Sequence, residues 1–105
     1  MDPREYVRRA LEAYRATPGT CGVIRRPDRV VAVQLQQRGV PLAALENALA
    51  LAVVRRMIRP DGAPALPPVR SLAYFLPVID EVLSTHVNPA YYQHVRNKLH
   101  RLTSQ

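Results

Sequence analysis

Three features of this sequence predict an all-α fold: a single helical domain over residues 1–105, built as a compact bundle of about five helices with a proline-rich connection before the fourth. Apolar residues recur at three- and four-residue spacing through most of the chain, cap-plus-proline pairs stand at Asp2-Pro3 and Asn88-Pro89, and short connections bearing glycine or proline separate the periodic segments. A chain of 105 residues with 48% hydrophobic content buries somewhat over roughly 60% of its unfolded surface. That is enough for a core without metal or disulfide staples.

The first helix is predicted from Asp2 to about Ala16. Asp2 can cap, Pro3 suits the first helical position, and Glu5 stands three residues on to close a capping box. Tyr6, Val7, Ala10, Leu11 and Tyr14 fall on one arc, with Arg4, Arg8 and Arg15 beside it. Thr17-Pro18-Gly19-Thr20-Cys21-Gly22 is a turn or loop. A second helix follows from Pro27 or Asp28 to Arg38, with Val30, Val31, Val33 and Leu35 set against Arg29, Gln34, Gln36 and Gln37. Its valines lower helix propensity, but Gly39 is placed for a left-handed helix end, which favours helix over strand. Pro41 opens a third helix, Leu42 to Ile58, apolar on nearly every side and therefore central to the bundle.

Residues Arg59 to Pro68 carry four prolines and one glycine, the pattern of an extended linker. Helical spacing resumes from Val69 to Leu83 through Leu72, Phe75, Ile79 and Val82, and Pro77 predicts a kink or break within it. The last helix starts at Asn88-Pro89 and presents Tyr92, Val95, Leu99 and Leu102 as a packing stripe.

Apolar runs are broken well before the ~18 residues that span a bilayer, which argues against a membrane location. The opening Met1-Asp2-Pro3-Arg4-Glu5 lacks the apolar core of a secretory signal, and one cysteine makes no internal disulfide. A cytoplasmic location is expected. Catalytic chemistry is also not expected. Cys21 lies in a loop with no histidine partner near it in sequence. His86, His94 and His100 lack metal-binding helical spacing, and the adjacent Asp80 and Glu81 point about 100° apart, as on a solvated polar face. The four glycines form no phosphate-cradling loop. No enzyme activity, cofactor, metal or small-molecule substrate is expected.

The charge points elsewhere. Fifteen cations against eight acids give +7, and fourteen of the fifteen are arginine, a pattern that suits phosphate contacts but also fits a GC-rich coding bias. The expected partner is nucleic acid, DNA or RNA, contacted through the phosphate backbone, with a larger protein or ribonucleoprotein complex as a second partner. Docking as a small subunit of a ribonucleoprotein such as a CRISPR effector, or binding an acidic protein, are the rival expectations. The sharpest candidate site is the last helix, where Tyr91, His94, Lys98 and Arg101 share a face and no acid follows Glu81. Arg25 and Arg26 precede the second helix, where free backbone N–H groups already attract anions. Arg4, Arg8 and Arg15 form a third candidate, weakened by Glu5 and Glu12 at four-residue spacing from Arg9 and Arg8. Arg55, Arg56 and Arg59 match the negative end of the third helix's dipole, and Arg70 stands alone. All of this requires the guanidinium groups to gather into a continuous strip. Val30 to Leu49 has the outline of a helix-turn-helix, but its second helix offers only Glu46 and Asn47 to a groove, so an interior hairpin is the favoured reading.

Three stretches carry a family resemblance: Thr17-Pro18-Gly19-Thr20; Gln37-Arg38-Gly39-Val40-Pro41-Leu42 leading to Glu46-Asn47-Ala48-Leu49; and Val69-Arg70-Ser71-Leu72-Ala73-Tyr74-Phe75-Leu76-Pro77-Val78-Ile79. Together they resemble small bacterial proteins encoded on mobile genetic elements. The later part also looks, more distantly, like the DnaD-type helical module of primosomal and phage replication proteins, a likeness covering about residues 22 to 83, although Pro77 interrupts the aromatic helix of that module. The resemblance implies binding to single- or double-stranded DNA in replication or transposition, with the basic residues named above as contacts. The functional expectation as a whole is an accessory component of a mobile-element, replication or phage-defence complex.

Overall fold

Asp2 caps the first helix, α1 (Pro3–Ala16), by accepting a hydrogen bond from the Arg4 backbone N–H at 2.9 Å. Glu5 does not close the predicted capping box. Its carboxylate instead accepts from Arg9 at 2.8 Å, one turn further on. The computed structural model, which describes residues 1–85 and 89–103, continues through α2 (Arg26–Gln37), α3 (Leu42–Met57), a 3-10 turn (Leu72–Phe75), α4 (Leu76–Ser84) and α5 (Pro89–Thr103). This is an all-α bundle of five helices.

The chain leaves α2 through Gly39 at φ +72°, where the Gly39 N–H reaches Gln36 O at 3.0 Å and the Val40 N–H reaches Leu35 O at 3.1 Å. These two bonds close the helix end, and the left-handed residue they require is the glycine expected there. Val40 is buried, and its carbonyl accepts from the Tyr6 hydroxyl at 2.6 Å. That bond places the start of α1 against the end of α2. At the opposite end Tyr14 lies within electrostatic reach of Asp28, so the two helices run antiparallel.

The segment from Val69 departs from the prediction. Val69 to Ser71 are extended, and Val69 pairs with the first loop: Cys21 N–H donates to Val69 O and Val69 N–H to Gly19 O, both at 2.8 Å. Helical structure begins only at Leu72, and the break anticipated at Pro77 falls at Leu76, leaving Pro77 in the first turn of α4. A first-turn N–H has no intrahelical acceptor, so proline is tolerated there. On α5, Tyr92 and Val95 are buried as expected and Leu99 partly so, but Leu102 is exposed. The expected capping residue Asn88 lies outside the described residues.

α3 is the centre. Leu45, Ala48, Leu49, Leu51 and Val54 are buried, and α1, α4 and α5 all pack on it. α2 packs instead on α1 and the 3-10 turn, at the margin of the bundle. The core is continuous through Tyr14, Leu35, Leu45, Leu72, Phe75 and Ile79, with the Tyr14 and Phe75 rings edge to face at 6.1 Å.

Candidate nucleic-acid interface

Arginine is the commonest charged residue, and the structure divides its fourteen copies by what each one touches. On α1, Arg9 and Arg15 are held by Glu5 and Glu12, and Arg8 stands 3.9 Å from Glu5. Glu12 is thus the partner of Arg15 rather than of Arg8. Asp80 and Glu81, expected on a solvated polar face, are exposed but each grips an arginine across helices. Arg38 donates to Asp80 at 2.8 Å, and Arg55 makes a two-pronged contact with Glu81 at 2.6 and 2.8 Å. The planar guanidinium fork matches a carboxylate in this way, holding Glu81 below the usual carboxylate range and Arg55 above its ordinary value. Arg96 bonds Asn47 and lies 3.9 Å from Glu46.

The cluster ending α3, expected to answer the helix dipole, is bound instead to the proline-rich linker. Arg56 donates to Pro67 O at 2.7 Å and to the Tyr74 hydroxyl at 3.1 Å, with its guanidinium 5.4 Å from the centre of the Tyr74 ring. Arg59 donates to Pro64 O. The linker contains four prolines and so has few N–H groups to fix it, and these arginines bind its carbonyls instead. The cleft of about 310 Å³ at this corner is walled by guanidinium groups already engaged.

The start of α2 is different. Asp28, only 1% exposed, accepts from Arg25 N–H at 2.9 Å and from Leu72 N–H at 2.8 Å. One buried carboxylate therefore closes the first turn of α2 and holds the Arg70–Leu72 segment against it. Arg70, solitary in sequence, is brought to the end where Arg25, Arg26 and Arg29 lie. All four are exposed, and among the described residues none is held in an ion pair. Asp28 is the one acid in α2, and it is turned inward. The helix therefore presents cations with no exposed carboxylate to offset them.

The other predicted residues are placed as follows. Tyr91, His94, Lys98 and Arg101 keep one side of α5, with Tyr91 edge to face on Tyr92 at 5.5 Å and Lys98 half-buried. α5 packs on α3 and α2 does not, so the two basic groups lie on different supports. Arg4 and Arg8 sit at the end of α1 remote from the α2 arginines, and Arg15 sits at the near end but is held by Glu12. The cations form separate groups rather than the continuous strip that the sequence reading required, so that expectation fails for the charge as a whole, and the group at the start of α2 is left as the main candidate for a polyanion contact.

Sequence reasoning missed three things: the burial of Asp28, the recruitment of Arg70, and the outward turn of half of α2. The third was visible in principle. Val30 and Val33 share the apolar character of Val31 and Leu35, yet at 100° per residue they fall on the opposite side, and they are 49% and 41% exposed. Beside them stand Arg26, Arg29, Gln34 and Gln37.

Elsewhere, the half-buried Cys21 thiol lies 3.8 Å from Val23 O. Tyr14 is fully buried, and its hydroxyl meets no oxygen or nitrogen partner among the described residues and has only the Cys21 thiol beside it. Burial, followed by Asp28 and Cys21, pushes it up to about 12. Among the described residues no group of three His, Cys, Asp or Glu stands ready for a metal ion, and His86 lies outside them. No helix among those residues is long and apolar enough to cross a membrane. No protein-family model, curated protein or solved structure matches this chain.

Proposed function

We propose that this protein binds nucleic acid, with the arginines at the start of α2 as its principal phosphate contacts and Lys98 and Arg101 on α5 as a second, weaker group. The observation that carries this reading is the unpaired state of Arg25, Arg26, Arg29 and Arg70 beside a helix whose sole acid is buried. A guanidinium already clasped by a carboxylate must break that bond before it can hold a phosphate. These four do not, and their fork geometry suits phosphate oxygens. In this reading the protein acts by binding, as an accessory to a larger nucleic-acid-handling complex.

Salt-titrated binding to single-stranded DNA, duplex DNA and RNA tests this directly. Affinity should fall linearly on logarithmic axes, with a slope of about 0.9 per duplex phosphate contacted. Undetectable binding to all three at low salt, with retention of an acidic protein instead, replaces the reading with a protein-docking one.

A further inference from the structure

α2 stands at the margin of the bundle and packs through one side only: Asp28, Val31, Ala32 and Leu35 are buried against α1 and the 3-10 turn. The other side is unpartnered along the whole helix. Arg26, Arg29, Val30, Val33, Gln34 and Gln37 line a shallow depression of about 480 Å³ there. The two valines form its floor, and the arginines and glutamines form its walls.

We infer that this face of α2 enters the major groove of duplex DNA and reads base edges. The inference rests on the nucleic-acid reading above, names its substrate, and assigns Arg26 to a base edge, leaving Arg25 and Arg70 to the phosphates. The residue types are those that the groove's chemistry calls for. Arginine pairs with guanine O6 and N7, glutamine with adenine N6 and N7, and an apolar side chain meets the thymine methyl group. Val30 and Val33 stand together among these arginines and glutamines, and the glutamine amide offers the donor and acceptor side by side that a base edge matches. The absence of any exposed carboxylate on α2 keeps the phosphates on either side of the groove from being repelled.

The dimensions agree. Twelve residues span about 18 Å, roughly five base-pair steps, and a helix of ordinary diameter fits the major groove. With the helix in the groove, Arg25 and Arg70 at its start lie where the flanking backbone runs. RNA duplexes fit less well, because their major groove is too narrow for a helix. Single strands are commonly bound by aromatic stacking, and this face carries no aromatic residue; the exposed Tyr74 and Tyr91 belong to the 3-10 turn and α5. The helix-turn-helix outline in the sequence would have used α3 for this task, but α3 is the buried centre and α2 is the exposed partner of the pair.

Selection of a randomised duplex library with the full chain, followed by titration of the winning site, tests the inference. The expected result is enrichment of a run of about three to five base pairs. Gln34→Ala, Gln37→Ala and Arg26→Lys should each lower the ratio of affinity for the selected over a scrambled duplex about tenfold or more, because each removes one bidentate pairing with a base. All three positions are exposed, so circular dichroism should show the variants folded. Val30→Asp, which sets a carboxylate among phosphates, should abolish selective binding. If the native protein binds every duplex sequence and duplex RNA equally, this inference falls while the phosphate-contact reading stands. If it binds no nucleic acid at low salt, both fall. A selected motif whose affinity ratio is unmoved by the glutamine and Arg26 variants overturns the assignment to α2. A dimer in sedimentation that Val30→Asp dissociates gives the face to a second copy of the chain and overturns it too.

Discussion

The outer face of α2 and the corner where α3 meets the linker are both rich in arginine, and they treat it in opposite ways. At the corner Arg55, Arg56 and Arg59 are consumed by Glu81, Tyr74 and two proline-segment carbonyls. On α2 the guanidinium groups of Arg26 and Arg29 stand beside valines and glutamines, and among the described residues neither is in an ion pair with a carboxylate. The formal charge of +7 describes neither region. What separates a structural arginine from an available one is whether the fold supplies it with an acceptor.

The largest expected effect comes from the residue that makes the α2 end possible. Asp28→Ala leaves the Arg25 and Leu72 N–H groups without their acceptor in a buried setting. It should cost on the order of 3 kcal/mol in urea denaturation. The substitution also unties the Arg70 segment from α2, so nucleic-acid affinity should drop although no arginine has been removed. A cost under about 1 kcal/mol would show that the two N–H groups find other partners.

Next comes charge reversal. Arg25→Glu with Arg70→Glu should lower duplex affinity roughly 50-fold near 0.1 M salt and reduce the salt slope by about 1.8, the values for releasing two phosphates. Lys98→Glu with Arg101→Glu should lower it less, with a slope change of about 0.7 to 0.9 for each phosphate that α5 holds. Arg55→Gln should leave affinity nearly unchanged, since that guanidinium is already spoken for by Glu81. Equal reductions from all three would erase the distinction between the two regions.

Much of this was legible in the sequence, and the failures share a cause. Helix starts and stops such as Asp2-Pro3 and Gly39 are local chemistry, so α1 and the end of α2 could be read from neighbouring residues. The extended Val69–Ser71 segment could not. Its apolar spacing passes for a helix, and its bonds to Gly19 and Cys21, some fifty residues away, hold it straight. Asp28 was hidden for the same reason, because its second donor is Leu72. The pairing of Arg38 with Asp80 and of Arg55 with Glu81 likewise joins distant stretches. Charge count was therefore readable, and charge availability was not.

A smaller effect concerns Tyr14, whose hydroxyl is buried at the Asp28 end with only the Cys21 thiol beside it. Its ionisation is pushed up to about 12 from the ordinary value of 10.0, so the folded state holds the phenolic proton more tightly than the unfolded chain does. The resulting stability is fully present below pH 10 and is lost as pH climbs through 12. Tyr14→Phe should flatten that alkaline decline in a denaturation series. At neutral pH it should cost little, because the hydroxyl gives up at most a weak contact with the Cys21 thiol. An unchanged decline above pH 10 would assign it to Tyr6, which burial also pushes up.

The smallest expected effect is the most direct comparison of the two regions. Glu81 is held below the usual carboxylate range by Arg55, so the contact contributes stability above that range and loses it as pH falls through the folded value. Both groups are about half exposed, which keeps the contribution small and sensitive to salt. Glu81→Gln with Asp80→Asn should therefore barely move the midpoint at pH 7, yet it releases Arg55 and Arg38 and raises the net charge by two. If clasping is what silences an arginine, duplex affinity should rise a few-fold and the salt slope should steepen. If affinity stays fixed although two guanidinium groups have been freed, position rather than availability decides which arginines bind. The α2 face would then owe its role to where it points and not to what its cations lack.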